Sequence, residues 1–255
     1  MRIDSVTAVV TGAAQGLGRC FALELVRAGA KVMAGDIQAD GLATLAAEAR
    51  GLPGRIETAP LDVTQEASVR GFLAETVQRL GTPNLLVNNA GILRDGLLAL
   101  REDDGFVRKM PSAQWKSVID TNLTGAYVMA REVVTLMLES GVNPGLVVNI
   151  SSITGAGNPG QGNYAAAKAG LDAATRTWAL ELAQHGIRVG GIAPGLIDTP
   201  MAAGLAAAAR TEMIADVPLG RMGRPEEIWA ALRFIVECDF FTGRVIQVDG
   251  GASYS

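Results

Sequence analysis

Short runs rich in Val, Ile and Leu alternate with longer amphipathic stretches along almost all of the 255 residues, and this rhythm constrains the fold most. Strands are expected at SVTAVVTG (5–12), KVMAGD (31–36), RIETAPLDV (55–63), NLLVNNAG (84–91), GLVVNISS (145–152), IRVGGIAPG (187–195) and RVIQVDGG (244–251). Helices are expected between them, at 17–29, 40–50, 65–80, 112–140, 163–185, 200–214 and 225–236. The strands are near-continuously apolar, the pattern required when helices cover both faces of a parallel sheet. Alternation of this length implies one α/β domain over residues 1–255, a doubly wound, seven-stranded parallel sheet with helices on both faces. In such a sheet ligands bind beyond the carboxyl ends of the strands, so the residues just after each strand carry the chemistry.

Composition narrows the function. Apolar residues make up 49% of the chain, enough for a sizeable core, but no run of eighteen or more is uninterrupted, so no membrane span is expected. Met1-Arg2-Ile3-Asp4 leads almost directly into the first strand and leaves no room for a signal peptide. Cys20 and Cys238 lie far apart in apolar segments and read as small hydrophobes of a reducing compartment, the cytoplasm. With one His and two Cys, no metal site of that kind is expected. A net charge of −4 without a clustered basic face excludes nucleic acid as an expected partner.

The first strand runs into Thr11-Gly12-Ala13-Ala14-Gln15-Gly16-Leu17-Gly18, and a helix follows. Gly12 permits a tight exit from the strand, while Gly16 and Gly18 let backbone and helix come close; the free amides of Gln15 to Gly18 suit a pyrophosphate. The second strand ends at Asp36, eighteen residues after Gly18, where a carboxylate accepts hydrogen bonds from the adenosine ribose. A 2′-phosphate there would meet repulsion of roughly 4 kcal/mol for like charges about 4 Å apart at an effective dielectric near 20, so NAD is the expected cofactor. The alternative reading of Asp36 is a loop residue capping the next helix, a part better suited to Asp40. Asp62-Val63 and Asn89-Ala90-Gly91 stand at further strand ends and are expected to line the adenine side.

Tyr164 and Lys168 are four residues apart in NYAAAKAGLDAATRTWALEL, an Ala- and Leu-rich stretch expected to be helical. That spacing puts phenol and ammonium on one helix face, one turn apart. A phenol ionises near pH ~10 in water, and a neighbouring cation favours the phenolate, so the pair is a candidate general acid and base for an alcohol or a carbonyl.

Together these segments resemble the short-chain dehydrogenase/reductase family over essentially the whole chain. The resemblance rests on TGAAQGLG (11–18), Asp62, NNAG (88–91), Asn122 in DTNLTGAY, Ser152 in NISS, Tyr164-x-x-x-Lys168, and Pro194-Gly195 in IAPGLIDTPM. The chain is most similar in look to the 3-oxoacyl-(acyl carrier protein) reductases and to NAD-dependent hydroxyacyl and hydroxysteroid dehydrogenases. The resemblance implies a Rossmann-type fold and hydride transfer between NAD(H) and a secondary alcohol or ketone. Tyr164 would be the acid/base, Lys168 would lower its pKa and hold the nicotinamide ribose, and Ser152 would hydrogen-bond the substrate oxygen. Asn122 would hold a relay water through an irregularity in its helix, and Ile197 and Thr199 would meet the carboxamide. Gln15 stands where NADP-using reductases of this branch often carry Arg, in line with NAD.

Some features depart from the family pattern. The stretch from Ser152 to Tyr164 is about one residue short, so Ser151 sits at the commoner spacing; the strand exit favours Ser152. Residues 93–115 are roughly nine residues longer than in the fatty-acid reductases and form a surface excursion near the substrate mouth or a solvated loop. A second excursion, 199–222, carries Met201, Met213 and Met222 and is a possible lid. The substrate is expected to be a small molecule or an acyl thioester, and the broadly apolar helices at 112–140 and 163–185 suit a homo-oligomer, tetramer or dimer. The other readings are an NADPH-dependent 3-oxoacyl reductase and a non-catalytic nucleotide-binding regulator, which would be expected to have lost Tyr164, Lys168 or Ser152.

Overall fold

The computed structural model describes residues 1–203 and 207–252; residues 204–206, within the expected 200–214 helix and excursion, and residues 253–255 lie outside the described residues. From the amino end come β1 (Thr7–Thr11), α1 (Gly16–Arg27), β2 (Lys31–Asp36), α2 (Ala39–Glu48), β3 (Arg55–Pro60), α3 (Glu66–Leu80) and β4 (Leu85–Asn88). A hairpin of β5 (Ala99–Arg101) and β6 (Val107–Lys109) follows, then α4 (Ser112–Ile119), α5 (Gly125–Glu139), β7 (Gly145–Ile150) and α6 (Gly162–Leu182). The chain ends with β8 (Ile187–Pro194), α7 (Pro200–Ala203), α8 (Ala207–Ala215), α9 (Pro225–Glu237) and β9 (Val245–Val248).

The seven long-range strands form one parallel sheet in the order β3-β2-β1-β4-β7-β8-β9. Their side chains alternate between two cores. Ala8, Val10, Val32, Leu85 and Val87 pack beneath α1, α2 and α9 with Phe21, Leu45 and Leu232, whereas Val9, Met33 and Leu86 face Phe72, Met129 and Val133 on α3 and α5. Burial on both faces is the physical reason that the strands read as unbroken apolar runs. No helix among the described residues is long and apolar enough to cross a membrane.

The order reverses between β1 and β4: the chain moves outward through β2 and β3, then returns to the other side of β1. Loops therefore diverge at that point and leave a crevice beyond the strand ends. Register aligns Thr11 with Gly35, Val10 with Val87 and Asn88 with Asn149, so the loops after β1, β2, β4 and β7 open on one edge.

Two expected elements differ. The single helix over 112–140 is two helices joined by a π turn at Asp120–Thr124, where the Gly125 N–H reaches back to the Asp120 carbonyl. The loop within 93–115 is an antiparallel hairpin, turned at Asp103-Asp104-Gly105 with Gly105 at φ 85°. Asp-Gly between alternating residues is a hairpin signal of low residue cost, and the mixed charges of this segment mask it.

Candidate active site

One cleft of about 620 Å³ runs along the strand-end edge and is lined at one end by Gly12, Gln15, Gly16, Leu17 and Asp36, and at the other by Ser152, Tyr164 and Lys168. Asp62, Val63, Asn89, Ala90, Gly91, Pro194, Gly195, Ile197 and Thr199 also line it. Asn122 and Gly18 stand just behind this lining.

The glycine turn is a cradle that a single methyl would fill. A Cβ on Gly18 would lie 2.2 Å from the Gly12 carbonyl oxygen and 2.5 Å from Asn89 Nδ2, and one on Gly12, whose φ is +65°, would lie 2.8 Å from Ala90 Cα. Asn89 explains the tightness: its Nδ2 donates to the carbonyls of Thr11 and Gly12, both at 3.0 Å. The Thr11 hydroxyl accepts from the N–H groups of Asn89 and Ala90, each at 3.0 Å. Asn89 is thus first a brace of the turn. Thr11 is an equal brace that its strand-like setting conceals in the sequence. α1 begins at Gly16, so the first-turn amides have no partner within the helix and face the cleft as an anion site. The shape and backbone donors of this cradle suit a dinucleotide pyrophosphate.

Asp36 is buried, with each carboxylate oxygen accepting a backbone N–H: Oδ2 from Ala14 and Oδ1 from Gln38, both at 2.9 Å. It therefore ties the glycine turn to the end of β2. Asp62 is similarly engaged, its Oδ1 accepting from the N–H and hydroxyl of Thr64 at 2.9 and 2.7 Å. Gly195 approaches the backbone of Asp249, Ile197 bridges to Gly223, and Thr199 lies against Gly16, closing the cleft across from the turn.

At the other end α6 presents Tyr164 and Lys168 one turn apart, with the Lys168 Nζ 5.4 Å from the centre of the tyrosine ring. Lys168 is 4% exposed and donates to the Ile150 carbonyl at 2.7 Å. Burial pushes the ammonium down to about 8 and pushes the phenol up to about 12; the Ser152 hydroxyl opposes the latter shift and the Asp95 charge adds to it. Burial of the phenol thus opposes the depression expected from Lys168. The ammonium is directed to a carbonyl and the ring face. Tyr164, protonated at neutral pH like any phenol, is held so more firmly here.

Ser151 and Ser152 diverge. The Ser152 side chain accepts from the Thr154 N–H at 3.1 Å and acts on Tyr164, whereas the buried Ser151 Oγ lies 3.3 Å from the Lys168 carbonyl oxygen. Asn122, 1% exposed, projects from the π turn, and its Nδ2 donates to the carbonyls of Ile92 and Val118 at 3.0 and 2.9 Å.

The wall of the cleft around Arg94 and Asp95 is stapled to the start of α6, a feature that the sequence does not single out. Gln161 donates to the Asp95 carboxylate at 3.1 Å, the buried Asn163 to the Arg94 carbonyl at 3.0 Å, and the Gly96 N–H to the Gly160 carbonyl at 2.7 Å. These residues are far apart in sequence, so only the fold reveals their pairing.

Comparison with known proteins gives consistent results. A family model described as "Enoyl-(Acyl carrier protein) reductase" matches residues 12–253. The chain is 42% identical over 254 residues to the 3-oxoacyl-(acyl-carrier-protein) reductase FabG of Thermotoga maritima, covering 98% of this chain and 99% of the relative. It is 40% identical over 256 residues to the protein of the same name from Pseudomonas aeruginosa, with 98% of each covered. Among solved structures, a short-chain type dehydrogenase/reductase from Mycobacterium marinum superimposes with a TM-score of 0.89 at 32% identity, over 98% of this chain and 96% of that one.

Proposed function

Since the chain belongs to the short-chain dehydrogenase/reductase family of oxidoreductases, we propose that it interconverts a 3-hydroxyacyl and a 3-oxoacyl thioester, or a related secondary alcohol and ketone, with NAD(H). The observation that carries this reading is the single cleft in which Tyr164, Ser152 and Lys168 are continuous with the glycine cradle and Asp36. When bound, the dinucleotide would supply the hydride chemistry, held by the glycine cradle, Asp36 and Lys168.

The chain's own residues hold and move the proton. Ser152, oriented by the Thr154 N–H, donates to the substrate oxygen and steadies the negative charge that develops there. Tyr164, protonated at neutral pH as a phenol ordinarily is and more firmly so here, gives its proton to that oxygen as a ketone becomes an alcohol. In the opposite direction it takes the proton, and a charged Lys168 is then needed to support the phenolate. Asn122, fixed by Ile92 and Val118, holds the π turn open behind Lys168, where a water relay from the lysine to solvent has its place. The relatives are named as reductases, which supports the ketone-to-alcohol direction.

Substrate class is supported by the wall beyond Tyr164. Ile92, Leu93, Ile153, Leu196, Met201 and Met213 give it an apolar lining suited to an acyl chain. Arg94 is exposed at the same end and is, with Lys168, one of two basic residues lining the cleft among the described residues. Neither borders the adenosine end, which supports NAD(H) over a cofactor bearing a 2′-phosphate. Tyr127, Leu138 and Leu180, exposed on α5 and α6, support a homo-oligomer built on that helix pair.

The test is a spectrophotometric screen of acyl thioesters, hydroxysteroids and small secondary alcohols, in both directions, with each cofactor. The expected outcome is turnover of a 3-oxoacyl thioester with NADH. Turnover confined to steroids would overturn the substrate class, and a preference for NADPH would overturn the role given to Asp36.

A further inference from the structure

The spacing that brings Tyr164 beside Lys168 continues down α6: Asp172 follows one turn below the lysine and Arg176 one turn below that. Asp172 stands where α6 meets the sheet, and its Oδ1 is buried without a hydrogen-bond partner. A bare carboxylate oxygen is costly in such a place, and neither the cofactor cradle nor the proton transfer uses it.

The end of β7 shows what stands opposite. Ser151 and Ser152 are successive residues of extended chain and so point to opposite sides. Ser152 serves Tyr164. Ser151, 4% exposed, lies against the Lys168 carbonyl and within hydrogen-bonding reach of Asp172. A hydroxyl has one proton to give, and a carboxylate is a stronger acceptor than an amide carbonyl. The two serines thus attend to the two halves of one ladder, Tyr164–Lys168 above and Lys168–Asp172 below.

We propose that Asp172, held by Ser151, is a positioning residue for Lys168: its carboxylate, one helical turn below, keeps the ammonium charged in a site that excludes water. The proposal rests on the reading of Lys168 as the charged partner of Tyr164. Its electrostatic setting is consistent. Burial drives Lys168 toward neutrality, and Asp172 is the one charge among the described residues that opposes this; Ser151, Arg176 and Lys168 in turn offset the burial of Asp172. The other charged groups around α6 are engaged elsewhere. Asp95 acts on Tyr164 and accepts from Gln161, Lys116 of α4 pairs with Asp120 of the π turn, and Arg188 of β8 donates to carbonyls of Ile235 and Phe241.

The test reads the lysine directly. The chain has Lys31, Lys109, Lys116 and Lys168, and only Lys168 is buried, so its Cε signal in 13C-lysine-labelled protein is distinguishable by its titration. In Asp172→Asn the Lys168 midpoint is expected to fall by roughly one unit, the low end for loss of a neighbouring opposite charge, and Asp172→Glu is expected to restore it. The alkaline limb of kcat/KM should move with the midpoint while NADH affinity stays constant. An unshifted Lys168 midpoint in a folded Asp172→Asn variant overturns the proposal, whatever its turnover. Should that variant fail to fold, the wild-type protein decides: the Lys168 signal must respond as Asp172 titrates on the acid side, and a flat response overturns it. Failure of the functional reading would look different, since the midpoint would still shift but activity would not follow.

Discussion

Replacing Asp36 by Asn separates its two tasks, and the structure sets a size for each. As a brace, the carboxylate accepts from the Ala14 N–H and the Gln38 N–H, both at 2.9 Å. An Asn side chain has one acceptor oxygen, which will stay with the buried Ala14 N–H, and its amide nitrogen will then confront the Gln38 N–H. Losing that one bond costs about 1–3 kcal/mol and loosens the turn after β2. As a selector, the carboxylate repels a 2′-phosphate by up to roughly 4 kcal/mol per charge at about 4 Å, close to a thousandfold in kcat/KM. Among the described residues no Lys or Arg lines that end of the cleft, so the substitution removes repulsion without supplying attraction. Initial rates with NADH and NADPH on one thioester give the ratio. The wild-type protein should favour NADH by about tenfold or more, and Asp36→Asn should bring the ratio toward unity while lowering the thermal midpoint. A wild-type preference for NADPH, or an unchanged ratio in the variant, would refute the reasoning.

Gly18→Ala should remove NADH binding, measured by fluorescence, and destabilise the fold by about 1–3 kcal/mol, because the methyl would sit 2.2 Å from the Gly12 carbonyl oxygen. Lys168→Met should abolish turnover yet raise the urea midpoint at pH 7. The lysine's folded pKa, about 8, lies below its ordinary 10.5, so the unfolded chain binds more protons between these values. The wild-type protein therefore bears the cost of a buried charge, a few kcal/mol, in full below about pH 8, and the variant's advantage should shrink as pH rises toward 10.5. A Lys168→Met protein that is less stable at pH 7 would contradict that sign. Asn122→Ala should weaken the fold by about 1–3 kcal/mol by leaving the Val118 and Ile92 carbonyls without their donor, read as a lower thermal midpoint.

The strand ends were legible in the sequence because burial on both faces leaves unbroken apolar runs that stop where the chain turns polar. Thr11, Asp36, Asn88 and Ile150 end four such strands at or near their expected limits. The pairing of Tyr164 with Lys168 was legible for an equally local reason, the geometry of a helical turn. What the sequence hid depends on contacts between distant segments. The engagement of Asp36 with Ala14 and Gln38, the bracing of Gly12 by Asn89, and the staple from Gln161 to Asp95 leave no periodic trace. The π turn at Asn122 was expected only as an irregularity, since one extra residue in a turn hardly disturbs apolar spacing. In the sequence the choice between Ser151 and Ser152 set loop length, which favours Ser151, against the strand exit, which favours Ser152. In the fold it turns on direction, one hydroxyl toward Tyr164 and the other behind Lys168.

The most direct test of the central claim is Tyr164→Phe, with turnover of the thioester and NADH binding measured on one preparation. Removing the phenolic oxygen deletes the proton donor while leaving the ring that Lys168 faces, so kcat should fall by about 10²–10⁴ with NADH affinity nearly unchanged. Full turnover in the Phe variant would contradict the account.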